Sequence, residues 1–170
     1  SDGHVYVGYW KDGNRHGIGA MKYSDGSVYL GYWKDGNRHG KGKYKDLFGV
    51  YIGEWEDDKR HGIGELRYLD GSVFKGEWSD HKPWNGSGIY KYSFGRDYKG
   101  VIENGKHHGQ GTYKYKDGNV YEGGFKDGRR HGIGKLTYKN NSFFEGEWEN
   151  SRPWNGSGTC RILGIPTDPD

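Results

Sequence analysis

Cysteine, methionine and proline are nearly missing from this 170-residue chain, with one Cys, one Met and four Pro. The single Cys160 excludes an internal disulfide framework and fits a reducing compartment. Apolar residues are also scarce, at 31% with a mean hydropathy of −1.13, which argues against one central globular core. No apolar run approaches the length of a membrane span, and no signal-peptide pattern is present. Neither charge is in excess. Twenty-six basic residues stand against 23 acidic ones for a net charge of +3, so no strong global attraction to nucleic acid is expected. Helical periodicity is absent throughout.

Low hydrophobicity of this degree usually means disorder. Seven Trp, fifteen Tyr and six Phe, placed periodically among 33 glycines, exclude that reading. The pattern is an aromatic-x-Gly-x-aromatic segment, a turn, then His-Gly-x-Gly, as in the run from Tyr121 to Gly134. Its opening aromatics are Tyr6, Tyr29, Tyr51, Phe74, Tyr98, Tyr121 and Phe144, at spacings of 23, 22, 23, 24, 23 and 23 residues. So regular a period, held along the whole chain, identifies a tandem array. Residues 1–162 are expected to form the array and 163–170 a C-terminal cap or tail, where Pro166 and Pro169 end strand pairing. Ser1–Tyr6 resembles Ser24–Tyr29, which implies that the chain opens inside the end of an earlier repeat.

Two turn signals divide each repeat. Asp12-Gly13, Asp35-Gly36, Asn104-Gly105 and Asp127-Gly128 mark the first, and Asp25-Gly26, Asp70-Gly71 and Asp117-Gly118 the second. Such pairs supply the positive φ of tight hairpins, and the segments between them are rich in Tyr, Val, Ile and Trp. The fold class predicted is all-β: an elongated, twisted, single-layer antiparallel sheet of about fourteen strands, ~70 Å long at ~4.8 Å per strand. Alternation puts Tyr6, Gly8 and Trp10 on one face, with their equivalents in each repeat, and Gly17, Gly19, Met21 and Tyr23 beside them. On that face the rings are expected to lie over glycines, each hairpin completing the core of its neighbour. The opposite face is variable and mostly polar, with Val7, Leu30, Ile52, Lys75, Lys99, Glu122 and Glu145 at one position.

Several copies depart from the pattern. The second repeat is one residue short near Asp46, which predicts a bulge or altered turn. The fifth has Ile102 for its second ring. In the fourth and seventh repeats Pro83-Trp84-Asn85-Gly86 and Pro153-Trp154-Asn155-Gly156 replace Arg-His-Gly, so that Trp stands for His and an Asn is added.

Taken together, Tyr-x-Gly-x-Trp-x-x-Gly-x-x-His-Gly-x-Gly in seven copies over residues 6–158 resembles the MORN repeat. The resemblance implies a shallow groove lined by the aromatic face and a non-catalytic module. Such modules act as cytoskeletal or membrane-associated scaffolds, as peptide-binding grooves, or as accessory regions of larger enzymes. It implies a cytoplasmic location, at a membrane or the cytoskeleton.

Catalytic and metal-binding patterns are weak in this chain. His16, His39, His61, His108 and His131 recur at one repeat position, but equivalent residues two strands apart sit ~10 Å from each other, too far to share a metal ion. Structural packing is the simpler role. The Gly-x-Gly pairs lack the helix and the extended motif of a phosphate loop. Cys160 lacks a nearby partner arrangement and sits in the capping strand, and no acid/base pair of carboxylates stands out. Asn85-Gly86-Ser87, Asn140-Asn141-Ser142 and Asn155-Gly156-Ser157 match the glycosylation sequon but read as turn sequences. Single-stranded nucleic acid is disfavoured, because the rings are committed to the sheet. No metal or cofactor is expected.

A protein or peptide partner is therefore the first expectation, bound by Trp84 and Trp154 with Tyr90, Phe94 and Tyr113, because the repeats that differ must fix a ligand's register. The two tryptophans should stand ~30 Å apart, suiting an extended peptide. Anionic phospholipid is the alternative, through a basic row of Lys22, Arg67, Lys91, Lys114 and Arg161. Homodimerisation through the array ends is a further expectation.

Overall fold

The computed structural model describes residues 3–92 and 94–159, which form one open antiparallel sheet of fourteen strands in chain order. The first half comprises β1 (Val5–Lys11), β2 (Asn14–Lys22), β3 (Val28–Lys34), β4 (Asn37–Lys45), β5 (Gly49–Glu56), β6 (Lys59–Tyr68) and β7 (Val73–Ser79). The second comprises β8 (Lys82–Tyr92), β9 (Arg96–Glu103), β10 (Lys106–Lys114), β11 (Val120–Lys126), β12 (Arg129–Thr137), β13 (Phe143–Glu149) and β14 (Arg152–Thr159). No described residue is helical. Cys160, Arg161 and the 163–170 tail lie outside the described residues.

Seven hairpins result, and their turns follow from residue chemistry. Asp12 and Gly13 have φ of 49° and 77°, Asn104 and Gly105 of 50° and 71°, the paired positive values that match the twist of a two-residue hairpin. Between hairpins the Asp25 carboxylate accepts from the Ser27 amide at 2.8 Å and its hydroxyl at 2.7 Å, and Asp70 and Asn140 hold Ser72 and Ser142 likewise. The short second repeat does have an altered turn. There the Asp46 carboxylate accepts from the Phe48 and Gly49 amides, leaving Leu47 and Phe48 exposed. Of the three sequons, only Asn140-Asn141-Ser142 is a turn; the other two lie inside β8 and β14.

A single-layer sheet has no second layer to cover its apolar face, so the rings cover one another. Tyr29, Tyr51, Phe74, Tyr98 and Tyr121 are fully buried. Tyr29, Tyr51 and Tyr121 each lie edge-to-face with the ring of their own strand and with that of the next hairpin, as Tyr29 does with Trp33 at 5.1 Å and Trp55 at 5.4 Å, whereas Phe74 meets only Trp78 and Tyr98 only Phe125 in this way. Such pairs contribute ~0.5–1.5 kcal/mol each beyond their burial. The glycines make this possible. A Cβ on Gly64 would stand 2.6 Å from Tyr51 Cζ, so only glycine admits the ring there.

Alternation places Gly17 differently from expectation. Between Gly8↔Gly19 and Trp10↔Arg15 the register shifts, with two extra residues bulged on β2. A Cβ on Gly17 (φ 64°) would therefore meet Tyr9 on the opposite face, not the aromatic row. The bulge leaves a carbonyl that the opening tyrosine satisfies: Tyr29 donates to Tyr32 O at 2.9 Å, Tyr51 to Glu54 O at 2.9 Å and Tyr98 to Val101 O at 2.8 Å.

Candidate functional site

Neighbouring hairpins are fastened by an arginine. Arg15 lies 4.4 Å over the Trp33 ring, Arg38 4.3 Å over Trp55, Arg60 4.8 Å over Trp78 and Arg130 4.2 Å over Trp148. Each also donates to a carbonyl in the next hairpin's turn, as Arg15 does to Gly36 O at 2.6 Å and Arg130 to Ser151 O at 2.7 Å. The indole in turn donates to the preceding hairpin, Trp148 Nε1 to Gly134 O at 2.9 Å. Trp33, Trp55, Trp78 and Trp148 are 2–3% exposed under this clamp, whereas Trp10, which has no preceding arginine over it, is 60% exposed.

The fourth hairpin abandons the clamp. Its bulge is one residue, between Glu77↔Asn85 and Trp78↔Pro83, so Gly86 pairs with Gly76. On the other side of β8, however, Gly88 pairs with Gly100 and Gly86 with Ile102. The strand has slid two residues along β7 while keeping the usual register with β9. This corrects the substitution read from sequence: toward the next hairpin Trp84 takes the place of arginine, not of histidine. Its carbonyl accepts from the Gly105 amide at 2.9 Å, as Arg15 O does from Gly36. The seventh hairpin slides in the same way, with Gly146↔Gly156 and Trp148↔Pro153.

That slide removes side chains from the aromatic face. Met21, Tyr44 and Leu66 stand opposite Tyr6, Tyr29 and Tyr51, but Gly88 stands opposite Phe74. The following ring position holds the smaller Ile102. The ring ladder loosens accordingly, to tilted contacts of 6.0 Å for Phe74–Tyr90 and 6.2 Å for Tyr90–Tyr98. A cleft of about 640 Å³ opens between Phe74, Trp78, Trp84, Tyr90, Tyr92 and Ile102. Lys82 and Lys106 line it from the turns, and His107 from the side.

Polar groups in the cleft are few. The Tyr92 hydroxyl lies 3.0 Å from His107 Nε2, and the imidazole stacks on Tyr98 at 3.7 Å. Burial lowers the His107 pKa, keeping the ring neutral. The Tyr90 hydroxyl is buried without a partner among the described residues, and burial raises its pKa. Leaving such a group unsatisfied costs ~1–3 kcal/mol.

Among the residues expected to bind a partner, Trp84 and Tyr90 come together in this cleft. Tyr113 is half-buried against Tyr98 and His107, Phe94 projects from the β8–β9 turn at 76% exposure, and Trp154 stands on the outermost strand at 73% exposure. The basic row lies on the opposite face, with Arg67 paired to Glu65 and Lys91 donating to Asp70 O. Lys22 and Lys114 are exposed, and Arg161 lies outside the described residues. Sequence reading missed a second basic row, the residue that follows each hairpin turn: Lys59, Lys82, Lys106, Arg129 and Arg152, all exposed. Its signal was present, since these positions succeed one another at the repeat period after Asn14 and Asn37.

Four of the five recurring histidines face a carboxylate: His16 Nδ1 with Asp35 at 3.6 Å, His39 with Asp57 at 3.6 Å, His61 Nε2 with Glu56 at 3.5 Å and His108 Nε2 with Glu103 at 3.1 Å. No group of three or more metal-ligating side chains assembles among the described residues.

Comparison with curated proteins finds no match. The MORN repeat family model matches residues 6–28, 29–46, 51–73, 98–120 and 121–143. It passes over the fourth and seventh hairpins, the two whose strands have slid. With five repeats matched over more than half of its length, each forming a hairpin of one continuous sheet, the chain belongs to the MORN repeat family.

Proposed function

We propose that the chain is a non-catalytic scaffold that seats an extended segment of a protein partner on its aromatic face, anchored at the fourth hairpin. All seven hairpins are then MORN repeats, the fourth and seventh being copies diverged for this purpose. The observation that carries the reading is the cleft at β7–β9, where the array gives up its own filling side chains and leaves Trp84 41% exposed. Exposed aromatics beside a concavity supply large contact area at low entropic cost. Anionic phospholipid is the weaker reading, because Arg67 and Lys91 of the back-face row are engaged within the sheet and the cleft is recessed from any flat surface.

Selection from a displayed library of random 12-residue peptides on the intact chain tests it. Enriched peptides should lose affinity by about tenfold or more in Trp84→Ala, as for a hot-spot aromatic. The melting temperature should stay within a few degrees of the parent, because Trp84 carries no clamp of the arginine type between hairpins. Peptides that bind Trp84→Ala as well as the parent would place recognition elsewhere.

A further inference from the structure

The cleft has chemistry beyond its shape. Its walls are apolar rings, its turn-side rim is basic through Lys82 and Lys106, and the Tyr90 hydroxyl is buried beneath it without a hydrogen-bond partner among the described residues. Basic residues continue along the same rim at Lys59, Arg129 and Arg152, one per hairpin, ~10 Å apart. The Lys59 ammonium already shows what this rim takes: it holds the Asp80 carboxylate at 2.8 Å. At Lys82 and Lys106 the equivalent places in the next turns carry Asn104 and Asp127. Thus Lys82, with Asn104 at that place, lacks the carboxylate that Lys59 has, whereas Lys106 has Asp127.

Resting on the reading above, we infer that the fourth-hairpin cleft recognises a short extended segment in which a bulky apolar residue is flanked by acidic ones. The apolar side chain enters between Phe74, Trp78, Trp84 and Ile102. Flanking carboxylates lie against Lys82 and Lys106. Charge of this kind sets partner choice and association rate more than total affinity. A repeat of ~10 Å corresponds to about three residues of extended chain at ~3.3 Å each, so acidic residues every third position would meet successive rim cations.

Three peptide sets test this on the intact chain: fluorescein-labelled nine-residue peptides with tryptophan fixed at the centre and flanks that are acidic, neutral or basic. Fluorescence anisotropy at low salt should show the acidic set binding about tenfold or more tightly than the basic set, the preference fading at high salt as rim charges are screened. The double variant Lys82→Glu with Lys106→Glu, at two exposed positions, should remove or reverse the order while melting like the parent. Equal binding of all three sets, or a preference unchanged in the double variant, overturns the acidic specificity. Binding lost in Trp84→Ala would in that case still support the cleft as a partner site, so the two readings fail separately. Capture by phosphatidylserine vesicles, lost in the double variant and with none of the peptides bound, would assign the rim to a membrane surface and overturn the inference.

Discussion

At the scale of single residues, glycine decides how closely the rings can lie on the sheet. Gly53 and Gly64 face each other across β5 and β6, and a Cβ on Gly53 would come within 2.5 Å of Gly64 Cα and 2.6 Å of Tyr51 Cζ. Gly13 is different in kind: it has φ of 77° in a turn, with nothing within 4 Å of its would-be Cβ. Gly64→Ala must push the Tyr51 ring off its strand and break the donation to Glu54 O, costing ~1–3 kcal/mol for overpacking and ~1 kcal/mol more for the hydrogen bond. Gly13→Ala bears only the backbone penalty of ~1–2 kcal/mol. Thermal melts of the two variants should therefore rank Gly64→Ala as the less stable, and the opposite order would mean that the ring does not need the glycine. The Tyr-over-Gly packing was legible in the sequence, since ring and glycine recur in phase. What could not be read was why Phe74 and Phe144 open the fourth and seventh repeats. A phenylalanine has no hydroxyl to give to a bulge carbonyl, and these are the two hairpins whose bulge has shrunk to one residue.

At the scale of the hairpin, arginine and tryptophan come as a pair that spans two repeats. Arg15, Arg38, Arg60 and Arg130 are each followed by a tryptophan in the next hairpin, whereas Trp84 and His107, in the corresponding places, are followed by Ile102 and Phe125. Alternation assigns faces but does not say which side chain meets which neighbour, and so the clamp and the slide of β8 lay beyond the sequence reading. In the basic row chosen from sequence, alternation does put Glu65 beside Arg67 on one face of β6, but it cannot show the Asp70 carbonyl to which Lys91 donates. Turn signals, by contrast, were read correctly at nearly every hairpin, because Asp-Gly and Asn-Gly act locally. The pairing rule makes a prediction. Trp84→Arg together with Ile102→Trp should install the missing clamp, with the guanidinium over the new indole and donating to Gly105 O. The cation–π contact and the hydrogen bond together should stabilise by ~1–3 kcal/mol, seen as a rise in melting temperature, while the cleft closes and peptide binding is lost. A melting temperature at or below that of either single variant would show that the slid register, not the side chains, sets this interface.

For the whole molecule, the single layer means that stability runs only between neighbours, so the array behaves as a one-dimensional series of interfaces. Rings and indoles in edge-to-face contact link the first hairpin to the fourth and the fifth to the seventh at 5.1–5.4 Å, as in Tyr6–Trp33, Phe74–Trp78, Tyr98–Phe125 and Tyr121–Trp148. Between these two runs every ring path among the described residues passes through the tilted Phe74–Tyr90 contact at 6.0 Å, and Phe74 has Gly88, without a side chain, opposite it. The weakest interface is therefore internal, at the fourth hairpin, and it coincides with the candidate site. Regions that open at low cost are often those that admit a ligand. Native-state hydrogen exchange measures this directly. Amides of β8 shared with β7 and β9, such as those of Ser87 and Ile89, should exchange faster than their counterparts in β4 and β12, dividing the array into two more protected runs. A peptide that fills the cleft should slow exchange at β8 more than at either run, by the ligand's stabilisation of the closed form. Uniform protection from β2 to β13 would instead mean that the extended hydrogen-bond ladder, rather than the aromatic clamp, governs how the hairpins hold together.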